Sequence, residues 1–89
     1  MTREEAHALA LREVLEHVEF DKLREGAASW GKTPLEYAVG ALRGALPEVH
    51  RGLMSGQLMT GEITSLAALC IELLRECHLE HYNTKRRQS

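Results

Sequence analysis

From Ile63 to Cys77 the chain repeats its apolar residues at the spacing of an α-helix, and no segment sustains the apolar–polar alternation of a β-strand. At 100° per residue, Ile63, Leu66, Ala67, Cys70, Ile71, Leu73, Leu74 and Cys77 fill one wide sector. Glu62, Ser65, Glu72, Arg75, Glu76 and Glu80 fill the other. A sector this wide implies burial against more than one neighbouring helix, or against a second subunit. Thr60 is expected to cap this helix, which should run from about residue 61 to residue 81 or 82.

The rest of the chain reads the same way. Thr2 with Glu5 three residues on has the capping-box pattern, and Leu11, Val14, Leu15 and Val18 continue along one helical face. Either a break at residues 19–21 lets Asp21 cap a second helix, or the first helix runs through to Arg24. Gly26 weakens the helical stretch beyond Arg24, and Gly31 is placed to end it. Thr33-Pro34-Leu35-Glu36 then sets a capping threonine, a proline at the first helical position and a glutamate at N3. Leu35, Ala38, Val39, Leu42 and Leu46 continue at amphipathic spacing. Pro47 cannot keep its helical hydrogen bond, so a bend is expected there, with a short fourth helix using Val49 and Leu53 and stopping near Gly56. The expected fold is therefore all-α, a small bundle of four to five helices with the long C-terminal helix central. Residues 1–82 form one domain, and residues 83–89, which contain Lys85-Arg86-Arg87 and no apolar residue, form a flexible basic tail.

Eighty-nine residues allow one core, and aromatic residues are only 4% of the chain, so Leu, Ala, Val and Ile must fill it. Domains this small bury a modest fraction of their surface and often complete the core by dimerising. A net charge of −2 gives no general electrostatic grip on nucleic acid. No run approaches the roughly 18 apolar residues of a membrane span, and the acidic start is unlike a signal peptide. The cytoplasm is the expected compartment. Cys70 and Cys77 lie about 10 Å apart along one helix, too far to bond to each other, which fits reduced thiols.

Several features invite a chemical reading. Cys70, Cys77 and His81 share a narrow sector of the last helix, and Cys77 with His81 could offer a thiolate and an imidazole to one metal ion. Further ligands would have to come from His7, His17, His50 or His78, and no C-x₂-C pair is present. Buried structural cysteines are the expected reading. No histidine falls in a hydrolase or metalloenzyme motif. Gly52, Gly56 and Gly61 fit no phosphate loop and read as helix terminators. Lys85, Arg86 and Arg87 could touch phosphates, which leaves a nucleic-acid-associated transcriptional regulator as an alternative. Trp30 beside Gly31 has the size of a core plug; exposed, it would anchor a partner. Met54, Leu58 and Met59 are adaptable side chains suited to a contact surface.

Without a cofactor motif or a nucleophile–base pattern, the expectation is a small non-enzymatic protein-interaction module. It would be a regulator, inhibitor or adaptor of bacterial or phage type, working as a homodimer or on a protein partner. Its contact residues would include Trp30, Met54, Leu58 and Met59. A metal- or redox-responsive protein using Cys70, Cys77 and His81 is a further alternative.

Overall fold

The computed structural model describes residues 1–19 and 21–88, the last five by their backbone alone. Its elements are α1 (Arg3–His17), α2 (Lys22–Ser29), α3 (Pro34–Met54) and α4 (Thr60–Gln88). The described residues contain no strand. Two starts are set by local chemistry. Thr2 and Thr33 each accept from the N3 backbone N–H (Glu5 and Glu36), and each glutamate carboxylate accepts in return from its threonine's N–H. The break before α2 is present, although the Asp21 side chain makes no capping hydrogen bond.

Two glycines end helices by the same device. Gly31 (φ 65°) and Gly56 (φ 81°) adopt the left-handed conformation just past α2 and α3. The next residue then donates back: Lys32 N–H to Ala27 C=O and Gln57 N–H to Gly52 C=O, each at 2.9 Å. Gly52 and Gly61 are not terminators. Gly52 is buried inside α3 with the Met59 thioether lying where its Cβ would stand, and Gly61 sits in the first turn of α4.

Three further expectations are corrected. Pro47 does not divide the third helix; α3 runs unbroken past it to Met54. Pro47 is exposed, so the Arg43 carbonyl it leaves without a partner needs only water, while Val49 and Gly52 beyond it are buried and hold the last turns in place. Thr60 is the first helical residue rather than the cap, because the Met59 carbonyl already accepts from Ile63 N–H at 2.9 Å. The last helix also continues beyond residue 82, to Gln88.

α4 touches each of the other three helices, α2 also packs on α3, and α1 touches α4 alone. The buried apolar side chains are Leu23, Ala27, Ala38, Val49 and Ala68, mostly small. Small residues let α2 and α3 approach closely: a Cβ on Gly26 would stand 2.7 Å from the Tyr37 ring, so a larger residue there would displace the ring. No residue of α1 is buried, and Leu11 and Leu15 on its apolar face are exposed. The radius of gyration is 15.6 Å, against about 12 Å for a globular domain of this length.

Candidate functional site

Two glutamates of α4 are buried where its pattern predicts exposure, and several of its apolar residues are exposed. The side turned to α2 and α3 buries Ala68, Glu72 and Glu76, with the two glutamates 3% and 7% exposed. Both belong to the polar sector, which was expected to face solvent. Arg24 on α2 makes this arrangement tolerable for Glu76. Its Nε donates to Oε1 at 2.8 Å and its Nη2 to Oε2 at 3.2 Å, a two-point guanidinium–carboxylate pair. Arg75 adds a longer contact, Nη2 to Oε1 at 3.5 Å. The Arg24 hydrogen bonds hold the Glu76 carboxyl below its ordinary range despite partial burial, and Glu76 raises the Arg24 guanidinium in turn.

Glu72 has no such pair; its buried Oε1 lacks a hydrogen-bond partner. It lines a cleft of about 220 Å³ together with Leu23, Tyr37, Leu69, His17 and Lys22.

Five of the eight residues of the apolar sector are exposed, while Leu66, Ala67 and Leu73 are half-buried. Ile63, Cys70, Ile71, Leu74 and Cys77 are exposed, Leu74 at 57%. Leu66 and Leu69 share a second cleft with His17 of α1 and Ala41 and Ala45 of α3, and are half-buried. The outward residues Ile63, Ala67, Cys70, Leu74, Cys77 and His81 are separated alternately by four and three positions. That is the a/d repeat of a helix that pairs with another helix. Ala67 alone of the six is half-buried; the others are exposed.

The cysteines are therefore not core residues: both are exposed free thiols. Cys70, Cys77 and His81 share this stripe, yet among the described residues no three His, Cys, Asp or Glu side chains are grouped to hold a metal ion. Trp30 does not plug the core; it stands just past the last residue of α2 and is 72% exposed. Met54 and Leu58 are also exposed, the latter at 89%, whereas Met59 is half-buried over Gly52. The side chains of Lys85, Arg86 and Arg87 lie outside the described residues. No helix is long and apolar enough to cross a membrane among the described residues.

Sequence reasoning missed Arg24, Glu72 and Glu76. The available signal was faint: Ala68, Glu72 and Glu76 are four residues apart, a single stripe that begins with a small residue beside Leu69. Compared with models of known protein families, with curated proteins and with solved structures, the chain matches none.

Proposed function

We propose that the protein is a small non-enzymatic interaction module, a regulator, inhibitor or adaptor, whose contact surface is the outward apolar face of α4. The observation that carries this reading is the exposure of Ile63, Cys70, Leu74 and Cys77 in one a/d stripe while Glu72 and Glu76 are buried on the opposite side. A helix that hides carboxylates and displays aliphatic side chains loses the transfer free energy of the displayed groups unless another surface covers them. In this reading α4 becomes the central element once that surface is in place. Exposed Trp30, Met54 and Leu58 supply further anchors of the kind that carry binding energy at interfaces.

Light scattering on the native particle tests the reading. It predicts a mass above that of one chain, from a second copy or from a bound protein. A particle of one chain, with nothing bound over the concentration range of its cellular use, overturns it.

A further inference from the structure

We infer that the surface covering α4 is a second copy of this chain, with the two α4 helices lying antiparallel along the stripe from Ile63 to His81. The inference rests on the interaction-module reading and adds the partner and its orientation.

The chain exposes more area than a compact monomer, by an amount of the order that a dimer contact buries. The chain exposes 7189 Å², whereas a compact monomer of its 10.0 kDa mass exposes about 5,200 Å². The end of α4 beyond Glu76, where the side chains described are all exposed, contributes part of the difference. Obligate homodimers bury about 1,000–2,500 Å² per chain, and the difference of about 2,000 Å² falls within that range.

The stripe is also complementary to itself in one orientation. Antiparallel helices centred near Glu72 bring Ile63 opposite His81, Ala67 opposite Cys77 and Cys70 opposite Leu74, each layer occurring twice by symmetry. Every layer then combines residues of compatible size, and no two leucines or two alanines face each other. A parallel pair would set Ala67 against Ala67 and His81 against His81, leaving a void in one layer and two imidazoles together in another. It would also place both Lys85-Arg86-Arg87 runs and both helix C-termini side by side, whereas the antiparallel pair puts them at opposite ends.

Native cysteines make the orientation readable. In a Cys70→Ser, Ala67→Cys chain, the thiols at 67 and 77 are ten residues apart on one helix, so they cannot bond within a chain. In the antiparallel dimer each faces the other chain's partner thiol. Treatment with oxidised glutathione, which is reduced as the two thiols become a disulfide, is expected to shift nearly all of the protein to the double-mass band on a non-reducing gel. Cys70→Ser and Cys77→Ser alone, which retain one thiol each, should stay at single mass. Light scattering on the same samples separates the failures. Two chains per particle with the 67–77 bond absent, or with self-linked Cys70 or Cys77, overturns the antiparallel pairing and leaves the module reading standing. One chain per particle overturns both.

Discussion

α4 presents two faces with contrary chemistry, and each was decided by a different neighbour. Toward α2 and α3, the small Ala68 allows close approach, and Arg24 neutralises Glu76 at the edge of the contact. Away from them, Leu74 and Ile63 stay in water although their transfer preference is for the interior. A charged residue can be buried where a fixed partner stands opposite it, and an apolar one is stranded when no surface of the same chain can reach it. Helix periodicity describes what a face prefers; the packing partner decides what it receives.

Placing the same charge on each face breaks the comparison most sharply. Ala68→Glu puts a third carboxylate into the α4 contact with α2 and α3, where Arg24 is already paired with Glu76, and should unfold the chain, seen as loss of the helical circular dichroism signal at 25 °C. Leu74→Glu, on the outward face, should keep that signal and instead reduce the native mass to one chain. If Leu74→Glu leaves the native mass unchanged, the outward stripe is not the contact.

Removing Arg24 comes next. Arg24→Leu leaves Glu76 with only the longer Arg75 contact and should lower the thermal midpoint by a few degrees at neutral pH. The pH dependence has a definite sign. The folded-state pKa of Glu76 is depressed below its ordinary value of 4.5, so its contribution is present above that pH and is lost as pH falls through the folded value. Acid titration of the thermal midpoint should therefore be shallower below pH 4.5 in Arg24→Leu than in the unaltered chain. Equal slopes would show that the ion pair contributes nothing.

The smallest effects concern helix starts and interiors. Thr33→Ala removes the hydroxyl that accepts from Glu36 N–H and should cost about 1 kcal/mol in urea unfolding. Gly44→Ala changes an α3 position with open space around its Cβ, and should stabilise by about 0.5–1 kcal/mol in the same titration. A loss there instead would mean that another surface covers that side of α3.

The helical class, both capping boxes and the glycine stops at residues 31 and 56 were legible in the sequence, because each depends on residues within one or two turns of one another. The unbroken passage of α3 through Pro47 was not: a proline's cost depends on whether the freed carbonyl meets water, and that is set by which side of the helix the rest of the fold covers. Trp30 misled for a related reason, since size favours burial only where the core has room, and this core is built mainly from alanine and single aliphatic residues. The candidate face was half legible. Its apolar content and the idea of a second subunit came from the wide sector between Ile63 and Cys77. That Glu76 would take the inner side was decided 52 residues away, by Arg24 on α2. The sequence determined the starts of α1 and α3, the glycine stops after α2 and α3 and how apolar each face is, because those are short-range properties of the backbone and its solvent. Only the tertiary structure decided which face of α4 is turned inward, because that choice depends on the shape and charge that α2 and α3 bring to it together.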